Sequence, residues 1–116
     1  MEYRRDQASP IWAPAVNLYE HSSGYCMVVD LAGVSAESID LRVEGDYLLL
    51  AGERPTPRPA SPAEPACPPS QRRLLLMEID HGPFARRVRL PQEVDSAAIE
   101  ASYRNGFLWV RMPKRR

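Results

Sequence analysis

Two runs of alternating apolar and polar residues, Ala101-Ser102-Tyr103-Arg104 and Phe107-Leu108-Trp109-Val110-Arg111-Met112, are separated by Asn105-Gly106 alone. An Asn-Gly connection of this length is the strongest short-range hairpin signal, because a type I′ turn needs positive φ at both central positions. The turn also sets register: Arg104 faces Phe107, Tyr103 faces Leu108, Ser102 faces Trp109 and Ala101 faces Val110. One face of the expected hairpin then carries Ile99, Ala101, Tyr103, Leu108, Val110 and Met112, an apolar surface fit to cover a core. The other carries Glu100, Ser102, Arg104, Phe107, Trp109 and Arg111.

The rest of the chain reads in the same way. Ala15 to Glu20 is a short strand, His21 to Gly24 a turn, and Tyr25 to Leu31 a strand apolar on both faces that Gly33 breaks. Ser35 caps a single helical turn, too short to stand alone. Ile39 to Glu44 alternates, with Ile39, Leu41 and Val43 inward. After a Gly45-Asp46 turn comes the apolar strand Tyr47 to Ala51, closed by Gly52-Glu53-Arg54. Residues 55–71 hold seven prolines. Proline removes ladder donors, so this loop is expected to be extended and polyproline-like, not a central strand. Leu74 to Ile79 and, after a Gly82-Pro83 turn, Phe84 to Leu90 read as further strands before Pro91 and a brief turn over Asp95 to Ala98. About eight short strands with no helical period predict an all-β fold, an antiparallel β-sandwich. Crossover helices have nowhere to sit, which excludes a parallel α/β fold.

A chain of 116 residues is one domain and can bury roughly two-thirds of its unfolded surface. Residues 1–11 are expected to form a short flexible arm, 12–114 the domain, and 115–116 a truncated tail. Acidic and basic residues balance at fifteen each, so no global field draws the chain to nucleic acid or to a membrane. Cys26 reads as a small buried hydrophobe, and Cys67 lies in the proline-rich loop; the two make no metal spacing and no redox pair. The opening Met-Glu-Tyr-Arg-Arg-Asp lacks an apolar h-region, and the expected location is the cytoplasm. His21 and His81 lack a second ligand nearby, so no metal or cofactor is expected. Glu53, Glu78 and Asp80 form no motif for acid–base work, and Ser22, Ser23 and Ser70 lack a nucleophile's setting. The expectation is not an enzyme. The outward aromatics Phe107 and Trp109, flanked by Arg104 and Arg111, are a contact surface. Cover by the proline-rich loop ranks first, a client or dimer partner second, and single-stranded nucleic acid a distant third.

The ordered set of motifs resembles the α-crystallin domain of the small heat-shock proteins. Trp12-Ala-Pro14 with Val16-Asn-Leu-Tyr-Glu20 is similar to that family's opening, with Asn17 where Asp is usual. Tyr25 to Asp30 with Leu31-Ala-Gly33-Val34 resembles its Asp-Leu-Pro-Gly-Val strand end, Ala32 replacing the proline. Ile39-Asp-Leu-Arg-Val43, Leu48 to Arg54, Gly82-Pro-Phe84-Ala-Arg86 and Leu90-Pro91 follow in order, and Ala101, Asn105, Gly106 and Leu108 fit Ala-x-x-x-Asn-Gly-x-Leu.

The resemblance implies an immunoglobulin-like sandwich and an ATP-independent holdase that binds partly unfolded clients and suppresses their aggregation. It implies a groove between the family's fourth and eighth strands that accepts an Ile-x-Ile tail. Here that groove would be lined by Ile39, Leu41, Val43, Ile99, Ala101 and Tyr103, each of which taken singly also reads as plain core. It implies a dimer interface with Leu75, Met77 and Arg86, the arginine pairing with an acid such as Glu64 or Glu78. Trp12, Phe107 and Trp109 are candidate client contacts, along with the Leu74–Met77 run. The sequence ends at Pro113-Lys-Arg-Arg116 without an Ile-x-Ile, and its arm is short. A dimer is therefore expected in place of a large cage. Two other readings of the resemblance are a CS-type co-chaperone adaptor docking on a larger chaperone, and a tail-accepting subunit of a mixed small heat-shock oligomer.

Overall fold

The computed structural model of the chain describes residues 11–57 and 73–116. Seven strands among them form two antiparallel sheets: β1 (Val16–His21), β2 (Gly24–Asp30), β3 (Asp40–Glu44), β4 (Tyr47–Arg54), β5 (Gly82–Arg89), β6 (Glu100–Arg104) and β7 (Phe107–Pro113). The larger sheet has the order β1-β2-β7-β6 and the smaller the order β3-β4-β5. Single 3₁₀ turns at Ala36–Ser38 and Ser96–Ala98 lead into β3 and β6.

The final hairpin is as the Asn-Gly signal requires. Asn105 and Gly106 have φ of 54° and 81°, and the strands pair Arg104 with Phe107, Tyr103 with Leu108, Ser102 with Trp109 and Ala101 with Val110. Register carries the alternation into the sheet centre, where Tyr25, Met27 and Val29 stand opposite Met112, Val110 and Leu108. All six are buried, packed in one cluster with Leu48 and Leu50 of β4 and Phe84 of β5. Each such side chain contributes roughly 1.5–3 kcal/mol by leaving water, so this double row is the main adhesive between the layers. The hairpin tip is tied down by the Leu31 N–H, which donates to the Gly106 carbonyl at 2.8 Å.

Some expectations need correction. Leu74 to Ile79 is not a strand. Its apolar residues favour extended backbone, but a strand needs a ladder partner, and this segment pairs with no strand among the described residues. The described strands therefore number seven and not about eight. β4 does not close at Gly52 but runs on to Arg54, and Gly82-Pro83 is the start of β5 instead of a turn. Pro83 is tolerated there because β5 is the outer strand of its sheet. Ser35 holds the N-cap position without a side-chain hydrogen bond. Asp95 caps the other 3₁₀ turn, accepting from the Ala97 N–H at 3.2 Å.

The continuation of β4 depends on Gly52. It stands opposite Phe84, and a Cβ at that position would lie 2.5 Å from the Phe84 ring and 2.8 Å from the Ser38 carbonyl oxygen. The ring folds over the space the glycine leaves, so one residue's absent side chain seats the other's aromatic. Gly52→Ala is expected to destabilise the fold by roughly 1–3 kcal/mol, the usual cost of overpacking a filled core. A lowered urea midpoint would register this; an unchanged midpoint would mean that the ring has room to move.

Candidate functional site

Three surfaces concentrate the unusual side chains. The first is the corner where β4 ends. Leu48, Leu50 and Gly52 point inward, and alternation delivers Arg54 to the next inward position, where it is buried. A buried guanidinium needs acceptors for its N–H groups. Nε donates to the Ala32 carbonyl at 2.8 Å and Nη1 to the Asp80 carbonyl at 2.9 Å. The guanidinium also stacks 4.4 Å from the centre of the Trp12 ring. Trp12 in turn donates from Nε1 to the Gly82 carbonyl at 3.1 Å, leans on Phe84 at 5.3 Å, and forms a parallel bridge that covers the start of β5. Trp12, a candidate client contact from the sequence, is buried in the chain, held by β5 and Arg54. A cavity of about 920 Å³ opens beside this corner, bordered by Asp30, Arg54, Pro57, Glu78, Ile79 and Asp80.

The second surface is formed by β3 and β6, the outer strands of their sheets. Ile39, Leu41, Ile99 and Tyr103 are half-buried and pack against the same core, while Val43 and Ala101 are exposed. Four of the six predicted groove residues are thus neither plain core nor plain surface, and Val43 and Ala101 lie at the surface. Tyr103 is fixed in place: its hydroxyl lies 2.7 Å from the Leu31 carbonyl and 2.6 Å from that of Val34, donating to one at a time. An outer strand offers unpaired backbone groups, and half-covered apolar side chains beside it suit an extended apolar segment.

The third surface is the run before β5. Leu74, Leu75, Leu76 and Ile79 are each more than half exposed, and Met77 is half-buried. β1, at the other margin of the larger sheet, exposes Leu18 and Tyr19. Arg86 is half-buried and donates from Nη1 to the Pro14 carbonyl at 3.2 Å, binding β5 to the incoming chain. Glu64, one acid expected to pair with it, lies outside the described residues, as do the proline-rich loop from residue 58 onward and the arm up to residue 10. Phe107 and Trp109 stand exposed on the outer face of the larger sheet, as the hairpin register requires.

One cluster had no signal in the sequence. The Tyr25 hydroxyl donates to Glu93 Oε2 at 2.5 Å, and Lys114 pairs with Glu20 at 3.0 Å while lying 5.4 Å from the Tyr25 ring. These residues come from far-separated parts of the chain, so only the closed sandwich brings them together. The Lys114 hydrogen bond and charge hold the Glu20 carboxyl below its ordinary range. The hydrogen bond to Glu93, followed by burial and the nearby carboxylates, pushes the Tyr25 phenol up to about 12. Among the described residues, no group of three His, Cys, Asp or Glu side chains is placed to hold a metal, and no helix is long and apolar enough to cross a membrane.

Two outcomes follow. Tyr25 ionises later in the folded chain than in the unfolded one. Its stabilisation is complete below the unfolded phenol's value near ~10 and is lost as pH rises toward about 12. Denaturant midpoints taken at pH values across that window should fall more steeply for the parent than for Tyr25→Phe; parallel curves would refute the coupling. Arg54→Ala strands two carbonyls and uncovers Trp12. It should cost on the order of 3 kcal/mol in a urea titration, and a loss under ~0.5 kcal/mol would remove Arg54 from its proposed place in the corner.

Comparison with known proteins supplies the context. The family model described as Hsp20/alpha crystallin family matches residues 17–116. The chain is similar to small heat shock protein C4 of Rickettsia felis, 27% identical over 90% of this chain and 59% of that protein. It therefore spans about three-fifths of the length of such curated relatives. Among solved structures, hspA from Xanthomonas axonopodis is 32% identical with a TM-score of 0.69, covering 90% of this chain and 95% of that one. Heat shock protein 16.0 from Schizosaccharomyces pombe superimposes with a TM-score of 0.75 at 26% identity, over 96% of this chain and 73% of that one. The immunoglobulin-like sandwich expected from the sequence is the fold these structures share with this chain.

Proposed function

The chain belongs to the Hsp20/alpha crystallin family, and we propose that it acts as an ATP-independent holdase, binding partly unfolded proteins through apolar surface without chemical turnover. The observation that carries this reading is the exposed Leu74–Leu76 run with Ile79, ahead of β5 and without a ladder partner among the described residues. A soluble chain rarely leaves four large aliphatic side chains in one short stretch uncovered unless a second polypeptide covers them. Family relatives include proteins named as heat shock proteins in bacteria, a fungus and a plant, which favours a stress-related role; a cytoplasmic location is part of the same proposal.

Self-association follows from the same surface. The start of β5 is already covered by Trp12, whereas β1 is an outer strand that exposes Leu18 and Tyr19. We place the Leu74–Ile79 segment of one copy along β1 of another, as an added strand, with Leu75 and Met77 in the interface and Arg86 close to it. Backbone hydrogen bonds would supply affinity there, and alternate side chains the fit. The β3–β6 surface, with Leu41, Val43, Ala101 and Tyr103, remains open for extended apolar segments of clients or of other small heat-shock subunits.

The purified chain is expected to suppress the heat aggregation of an unrelated enzyme, followed by light scattering, with no nucleotide present. Replacing Leu75 and Met77 together by Asp should shift native mass from dimer to monomer and weaken protection several-fold, since buried like charges oppose assembly. Full aggregation of the test enzyme at several-fold molar excess of the chain would overturn the holdase reading. Unchanged mass in the double variant would overturn the interface alone.

A further inference from the structure

The outer face of the four-stranded sheet carries a charge pattern that matches itself. On β6 and β7 three rows of register partners follow one another: Arg104 beside Phe107, Ser102 beside Trp109, and Glu100 beside Arg111. Phe107 and Trp109 are exposed, and a depression of about 760 Å³ opens on this face, bordered by Trp109, Arg104 and Arg111. Charges of both signs share the face, Arg104 and Arg111 with Glu100 and with Asp30, the register partner of Phe107. A nucleic acid or another polyanion would meet two carboxylates here. Exposed aromatics among fixed charges of both signs suit a partner whose own charges are placed to match.

A second copy of this chain is such a partner. Two identical faces close on each other about a two-fold axis lying in the plane between them. Laid across the strands through the middle row, that axis keeps Trp109 over Trp109 of the second copy and exchanges the rows on either side. Arg104 then stands over Glu100 of the second copy and Phe107 over Arg111 of the second copy, and each contact occurs twice. Laid along the strands, the axis runs between β2 and β7. It puts Phe107 over Asp30 and Arg111 over Cys26, and no opposite charges in these rows meet. The charges therefore select the first arrangement. Stacked sheets lie ~10 Å apart, a gap that an arginine and a glutamate bridge end to end. Glu100 holds Arg111 of its own chain through Oε1, which leaves Oε2 for the incoming guanidinium. Arg104 makes no ion pair among the described residues. The two indoles fit as an offset stack over the depressions beside them, and Phe107 under a guanidinium makes a cation–π pair.

We propose that the outer face of the β1-β2-β7-β6 sheet is a self-association surface, on which a second copy of this chain stacks about a two-fold axis through the Trp109 row. Four strands at ~4.8 Å and the seven residues of β2 and β7 at ~3.4 Å give each copy a patch of ~450 Å², or ~900 Å² for the pair. That lies below the ~1,200 Å² of a standard interface, in the range of weak and transient association. The contact is separate from the edge at β1. A strand added at that edge extends the sheet sideways and leaves its face open, so two edge-paired dimers can stack into a tetramer. The face contact does not depend on the edge contact.

Charge reversal tests the pairing. Sedimentation velocity of the parent chain, from micromolar to near-millimolar concentration, should show the native mass doubling, whether it starts as monomer or as edge-paired dimer. Arg104→Glu alone and Glu100→Arg alone each bring like charges together in both symmetric contacts, and each should weaken the doubling at least ~tenfold. An equimolar mixture of the two variants sets opposite charges face to face in both contacts, and should double at about the parent's concentration. A merely structural role for either residue gives no such rescue. A parent of constant mass at every concentration would overturn the proposal. So would doubling that both single variants retain, or a loss that the mixture does not restore. Constant mass with a change in Trp109 fluorescence on adding an unfolded enzyme would assign the face to clients, and the proposal would fall.

Discussion

The pairing of β2 with β7 is the interaction on which the molecule depends. It places Tyr25, Met27 and Val29 beside Met112, Val110 and Leu108 in one continuous buried layer. Against that layer the smaller sheet presents Leu48, Leu50 and Phe84. Without that pairing β1–β2 and β6–β7 would each be a lone two-stranded ribbon, of the kind that is marginal in water.

Because the core is satisfied by the centres of the sheets, the proposed binding of other polypeptides falls to the margins. β1, β3 and β6 are outer strands with apolar side chains only partly covered. A sandwich that closed these edges would have nothing to offer another polypeptide, whereas one that left its core open would not fold. The division is visible at the end of β4, where the inward row passes from Leu48 and Leu50 through Gly52 to Arg54. The core ends at that arginine, which meets backbone carbonyls and the Trp12 ring in place of aliphatic neighbours. The same corner holds the start of β5, and so locates the exposed leucines that precede it.

The sequence was legible wherever a local rule set the outcome. Asn105-Gly106 specified turn, pairing and face in one step, since positive φ and strand twist allow few alternatives. Ile39, Leu41 and Val43 alternated as expected, but how deeply each is covered depends on what stands opposite, and Val43 emerged exposed. Leu74 to Ile79 misled because β propensity describes a residue's fit to a pleated surface and not the presence of a neighbour. How deeply Trp12 is covered had no local signal, since only the arrival of Arg54 and β5 buries it.

What the amino-acid order determined by itself is the number of layers, the registers across its tight turns, and which residues of each strand share a face, because these follow from backbone periodicity and turn geometry within a few residues. What the tertiary structure alone decided is which margins stay open, where a buried arginine finds its carbonyls, and that Tyr25 meets Glu93. Those outcomes depend on groups far apart in the chain, and no local pattern encodes a distance that exists only after the two sheets have closed on one another.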